Sequence, residues 1–144
     1  MTDYELSFTI PSPGKYASFA EFSQNGRFLA VGDRDSSLLS ILDRCAGFHK
    51  SFSVVTPAKP TALVWETSKA FYVGLSNGQF AHYQVDIKNR KLVEGAMSKL
   101  FHGTLPITAM ALDQESKTMV LSMGPGVFAF RRIRETSTFR LSMN

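Results

Sequence analysis

YASFAEFSQNGRFLAVGDRDSSLLSILD, Tyr16 to Asp43, is the stretch on which the fold turns. It breaks into three short apolar runs, Phe19–Phe22, Phe28–Gly32 and Leu38–Leu42. Between them lie SQNG, Ser23 to Gly26, and DRDSS, Asp33 to Ser37. Gly and Asn tolerate positive φ, and Asp and Ser side chains bond the nearby backbone, so both clusters make tight turns. Short strands joined by hairpin-length loops predict an antiparallel meander.

Two later segments follow the same plan: PTALVWETSKAFYVGLSNGQFAHYQVD, Pro60 to Asp86, and PITAMALDQESKTMVLSMGPGVFAFRR, Pro106 to Arg132. Phe22, Trp65 and Leu112 correspond, as do Val31, Val73 and Leu121. The first runs of the later units are Ala62–Trp65 and Thr108–Leu112. The second are Phe71–Leu75 and Met119–Met123, and the third Gln79–Val85 and Val127–Phe130. A fourth strand is expected after each unit, at Phe48–Val55, Lys91–Met97 and Thr136–Leu141, with Glu5–Ile10 as a leading strand of the same kind. In VEGAMSKLF, Val93, Met97, Leu100 and Phe101 also fall at helical spacing. The repeat nevertheless requires a strand there.

A lone four-stranded sheet cannot bury two apolar faces, whereas sheets stacked radially cover one another. Strands covered on both sides read as nearly continuous apolar runs, as FLAVG, FYVGL and TMVLSM do. With these blocks recurring after about 43 and then about 47 residues, the sequence resembles the WD40 repeat family, whose period is roughly 40–45 residues with four strands per blade. The resemblance covers approximately Glu5 to Leu141. It implies an all-β, WD40-like β-propeller arc of three four-stranded antiparallel blades, a partial propeller. The blades would span approximately 16–56, 57–101 and 102–142 of a single domain. The family's Trp-Asp pair reads Leu42-Asp43 and Val85-Asp86 here, and its Gly-His pair is absent, so no residue of the family's polar network is carried over. Closed propellers use about 4–8 blades. Three units therefore point to a piece of a longer propeller, to self-association of two copies into a six-bladed ring, or to a partner supplying the rest.

Composition narrows the setting. The chain has 144 residues, 44% hydrophobic and 19% charged, enough apolar material for a core. A net charge of +4 is too mild and dispersed to mark a nucleic-acid surface. A single Cys45 excludes an internal disulfide and favours a reducing compartment. The acidic start, MTDYELSFTI, is unlike a secretory signal, and no apolar run reaches the roughly 20 residues a spanning helix needs. The expected setting is intracellular, cytoplasmic or nuclear.

Chemistry-bearing motifs are sparse. GPGVFA, Gly124 to Ala129, has the form of a dinucleotide fingerprint, but β-favouring residues follow where a helix is required, so it reads as a hairpin turn. Cys45 and His49 lack the further ligands that structural zinc needs, and read as a buried thiol and an ordinary histidine. His82 and His102 stand apart in sequence. No catalytic, cofactor-binding or metal-binding residues are assigned, no cofactor is expected, and the expectation is that the chain is not an enzyme. The resemblance implies a scaffold that presents loops to protein partners. Loops before each first strand and between second and third strands share one end of a propeller, which nominates Lys15, Tyr16, Arg34, Asp35, Lys59 and His102 as partner contacts. An alternative lies in Phe130-Arg131-Arg132. It resembles the Phe-Arg-Arg-Gly motif with which related propellers hold phosphoinositide head groups, though Ile133 replaces the Gly. It would make Arg131 and Arg132 an anion site and a membrane surface the partner.

Overall fold

A computed structural model describes residues 4–7, 9–10, 13–14, 16–49, 51–99, 105–132 and 139–141. Among them, twelve strands form three sheets of four. Sheet 1 comprises β1 (Ala17–Phe22), β2 (Phe28–Asp33), β3 (Leu38–Asp43) and β4 (Ser51–Val55). Sheet 2 comprises β5 (Pro60–Trp65), β6 (Ala70–Leu75), β7 (Gln79–Asp86) and β8 (Lys91–Lys99). Sheet 3 comprises β9 (Ile107–Asp113), β10 (Thr118–Met123), β11 (Gly126–Arg132) and β12 (Phe139–Leu141). Each is an antiparallel meander in chain order, with no strand shared between sheets. Of the segment with helical spacing, residues 93–99 are in strand β8, while Leu100 and Phe101 lie outside the described residues. Phe48 begins no strand: it follows a short 3-10 turn at Arg44–Ala46 and has φ 63°, so β4 starts at Ser51.

Side chains alternate between the two faces of a strand, so the register defines rows. On the face of sheet 2 toward sheet 1, Trp65–Phe71–Tyr83 and Leu63–Val73–Ala81 lie side by side across three strands. They pack on Phe28, Ala30, Leu39, Ile41 and Phe52 of sheet 1 in the largest core. The Trp65 ring stacks on Phe28 at 6.4 Å, and its Nε1 donates to the Glu21 carbonyl at 3.0 Å. On the opposite face, Ala62, Tyr72 and Phe80 pack against Ile107, Met119, Leu121 and Phe130 of sheet 3. Gly74 permits this approach, since a Cβ there would stand 2.7 Å from Ile107 Cγ2.

Each first strand opens with the same irregularity. The register slips at Ser18, Thr61 and Thr108, one extra residue in β1, β5 and β9. Each of these hydroxyls donates to a carbonyl of the neighbouring strand: Gly32 at 3.1 Å, Gly74 at 3.2 Å and Ser122 at 3.3 Å. The bulge bends the strand start, and the hydroxyl satisfies a carbonyl that the disrupted ladder leaves over.

Two expectations need correction. Of the described residues in Glu5–Ile10 (5–7, 9 and 10), none is in a strand. A strand requires an edge to pair with, and no described sheet lies beyond sheet 1 on that side. Ile10 instead rests against Leu29, Val31, Leu42 and Phe48. Second, TMVLSM reads as covered on both sides, yet burial in β10 alternates. Sheet 2 covers one of its faces and no described sheet covers the other. By contrast, β2 and β6 are buried throughout.

Candidate functional site

β1, β5 and β9 run side by side in one direction. Ser18 Oγ reaches the Pro60 carbonyl at one end, while Trp65 accepts from Gln114 Nε2 at the other. The loops before these strands therefore share one end of the arc with the β2–β3, β6–β7 and β10–β11 turns. Their backbones are tied down. The Thr56 N–H and hydroxyl both donate to the Ser37 carbonyl, at 2.8 and 3.1 Å, joining the loop before β5 to the β2–β3 turn. Ser76 accepts from the Lys59 N–H at 3.2 Å and returns its own N–H to the Lys59 carbonyl at 2.8 Å.

The first of these loops holds a compact cluster. Ala17 pairs with Asp33 across β1 and β2, so the flanking Tyr16 and Arg34 meet. The Tyr16 N–H donates to Asp33 Oδ1 at 2.9 Å, and the Arg34 N–H donates to the Tyr16 carbonyl at 2.7 Å. Asp33 is buried and also accepts from Ser36 Oγ. Above this anchor the Arg34 guanidinium lies 4.6 Å from the Tyr16 ring centroid, within cation–π range, and its Nε sits 3.3 Å from Asp35 Oδ1. Tyr16 is 50% exposed, and Arg34 and Asp35 are exposed as well. Three sequence-nominated residues thus form one surface cluster. Lys59 is exposed at the same end of the arc, and Lys15 and His102 lie outside the described residues. Leu105, exposed beside the β10–β11 turn, adds an apolar contact that sequence reasoning missed.

The alternative anion site is less complete. Arg131 is exposed on β11 and pairs with Arg140 of β12 in register, while the Arg132 side chain lies outside the described set. Phe130 points into the core.

Sequence reasoning also missed a buried polar cluster between sheets 2 and 3. His82 Nε2 lies 3.3 Å from Glu66 Oε1, and the Tyr72 hydroxyl donates to Glu66 Oε2 at 3.2 Å. All three residues are buried. A β8 irregularity faces His82, where a Cβ on Gly95 would approach Nδ1 to 3.0 Å. A carboxylate holding an imidazole is half of an acid–base device, but this one is closed off and serves to satisfy polar groups in the core. Cys45, expected to be buried, is exposed on the 3-10 turn. Gly124, with φ 56°, closes the β10–β11 hairpin, and strand β11 follows where a dinucleotide site needs a helix. Among the described residues no three His, Cys, Asp or Glu side chains gather closely enough to hold a metal ion.

No protein-family model matches the chain, and no curated protein matches it. Among solved structures it is similar to the periplasmic gluconolactonase PpgL of Pseudomonas aeruginosa, with a TM-score of 0.68 and 16% sequence identity. The match covers 85% of this chain and 38% of that one. The architecture is that of a partial β-propeller. At this identity the likeness concerns the fold alone, and it is to a propeller other than a WD40 protein. It also overturns one expectation. The scaffold resemblance and the sparse motifs carry the expectation that the chain is not an enzyme, yet the solved propeller is named as an enzyme. The scaffold does not decide the question, because chemistry resides in side chains grafted onto a fold.

Proposed function

We propose that this chain is a protein-binding module of WD40-like repeats and that the end carrying Tyr16, Arg34, Asp35 and Lys59 is its contact surface. The observation that carries this reading is the Tyr16–Arg34–Asp35 cluster, an exposed aromatic and an exposed guanidinium already held together above a buried aspartate. Tyr and Arg dominate interface hot spots. Side chains fixed before binding lose less freedom when a partner arrives. Loops on a rigid β scaffold are a common place for such contacts.

The test is affinity capture with quantitative proteomics, comparing the native chain with a Tyr16→Ala/Arg34→Ala/Lys59→Ala variant. Loss of a discrete captured set by ten-fold or more, the change that about 1.4 kcal/mol produces, is expected. An identical captured set from both proteins sinks the reading. Vesicle flotation with anionic lipid provides the contrast: salt-sensitive retention that disappears in Arg131→Ala/Arg132→Ala favours the anion site instead.

A further inference from the structure

Basic residues dispersed along the sequence meet at one end of sheets 1 and 2. The turns β1–β2, β3–β4, β5–β6 and β7–β8 all lie there, at the end opposite Tyr16. Gln24 Nε2 ties the first of them to the third by donating to the Glu66 carbonyl at 3.0 Å. These turns and the strand ends beside them carry Arg27, Arg44, Lys69, Lys88, Arg90 and Lys91, all exposed except the half-buried Arg27. The carboxylates of the same turns, Asp43, Glu66 and Asp86, are fewer and face inward or back onto the chain. Asp43 and Glu66 are buried, the latter against Tyr72 and His82. Asp86 accepts from the N–H and the Nδ2 of Asn89 at 3.1 and 2.8 Å.

The charge is densest at the joint between the two sheets. Arg27 lies over the Phe28 ring at 5.0 Å and Arg90 over the Phe52 ring at 5.7 Å, and these rings meet edge to face at 6.1 Å. The Arg44 guanidinium reaches the β1–β2 turn, where a Cβ on Gly26 would stand 3.3 Å from its Nη1. Three guanidiniums thus share the neighbourhood of one carboxylate, and Asp43 already gives both oxygens to Arg27. Among the described residues no carboxylate lies within ion-pair distance of Arg44 or Arg90.

We propose that this end of sheets 1 and 2 binds a short acidic segment of a protein partner, with Arg44 and Arg90 as its principal contacts. Arginine clusters hold acidic motifs through charge-assisted, often bidentate hydrogen bonds. Arg90, resting on the buried Phe52 ring, is partly ordered before binding. The patch is also bounded. The β9–β10 turn abuts the β5–β6 turn at this end, with Gln114 Nε2 donating to the Trp65 carbonyl at 3.1 Å, and there the exposed Asp113 and Glu115 outnumber Lys117. A long nucleic acid or a flat anionic membrane laid across this end would meet those carboxylates, whereas a short segment avoids them. The Phe28 and Phe52 rings are buried beneath their guanidiniums, so they offer no platform for a base. The surface is separate from the Tyr16 cluster and stands independently of it.

The probe is a fluorescently labelled hexaglutamate peptide, titrated with the full chain and read by anisotropy. Binding at low salt that weakens as salt is raised is expected, and no binding at low salt overturns the proposal. Arg44→Glu and Arg90→Glu should each weaken binding by about ten-fold, with the native fold confirmed by circular dichroism. Lys117→Glu is the matched control. It makes the same change of charge at an exposed residue whose φ of 55° resembles the 53° of Arg90. It should alter affinity by less than about two-fold, and a loss equal to that of Arg90→Glu would show attraction to overall charge and overturn the site. Should Arg90→Glu unfold, Lys88→Glu, at an exposed side chain on the same turn, replaces it. Tighter binding of a single-stranded oligonucleotide of equal charge, or of phosphatidylserine–phosphatidylcholine vesicles, lost in Arg44→Glu, assigns the surface to that class instead and overturns the proposal.

Discussion

Gly74 and Asp43 show how single residues hold the arc. A methyl group at Gly74 would press on Ile107, a β-branched side chain with little rotamer freedom. Gly74→Ala is therefore expected to destabilise the chain by about 1–3 kcal/mol, measured by urea unfolding, with the loss reduced when Ile107→Val is added. Asp43 stands where the repeat family places the acid of its Trp-Asp pair. Here it accepts from Arg27 through both oxygens, at 3.2 and 3.3 Å, and from the Cys45 N–H at 3.0 Å. Burial opposes its ionisation, but these bonds and the Arg27 charge outweigh that and hold the carboxyl below its ordinary value. A depressed folded-state value stabilises the fold above the unfolded pKa of about 3.9, and that contribution is lost as the pH falls through the folded value. Asp43→Asn should lower stability at neutral pH by removing the charge that Arg27 faces, since Asn caps the turn as well as Asp does, and flatten the fall below pH 4. An unchanged acid limb in pH-dependent melts would refute this. The role of Asp43 was not legible in the sequence, because Arg27 becomes its neighbour only through the β2–β3 register, which pairs Phe28 with Asp43.

At the scale of strands and turns, much was legible and the reasons are local. Apolar runs such as Phe28–Gly32 and Phe71–Leu75 are bounded by turn residues, and hairpins need nothing further to set their order. What could not be read was contact between elements. Tyr16 and Arg34 were each nominated, yet their stacking arises from the pairing of Ala17 with Asp33. His82 and Glu66 lie on different elements and meet only because β6, β7 and the end of β5 share a face. Ser18, Thr61 and Thr108 fall at one position when Phe22, Trp65 and Leu112 are aligned, a correspondence that takes its meaning from the bulges alone. The β9–β10 turn shows the remaining strain. Lys117 has φ 55°, a left-handed conformation that costs a side-chain-bearing residue about 1–2 kcal/mol. Lys117→Gly removes that cost while adding about 0.5–1 kcal/mol of chain entropy loss. A net gain of up to about 1 kcal/mol is expected as a raised melting temperature, and a lowered one would show that the turn is held by other means.

For the molecule as a whole, protection should be graded along the arc. Sheet 2 is covered on both faces and sheet 3 on one. Native-state amide exchange should be slowest in β6, with β10 opening at a lower free energy. Exchange at equal rates in β6 and β10 would mean that the arc opens as one unit.

The bulges of β1, β5 and β9 carry one more implication. Because the slip falls at the same aligned residue each time, with the same hydroxyl bridging it, the joints are standardised like links in a chain. A duplicate of the middle unit, cut at matching residues in the loops before β5 and β9, should splice in without redesigning its neighbours, and the curvature would carry on around the axis.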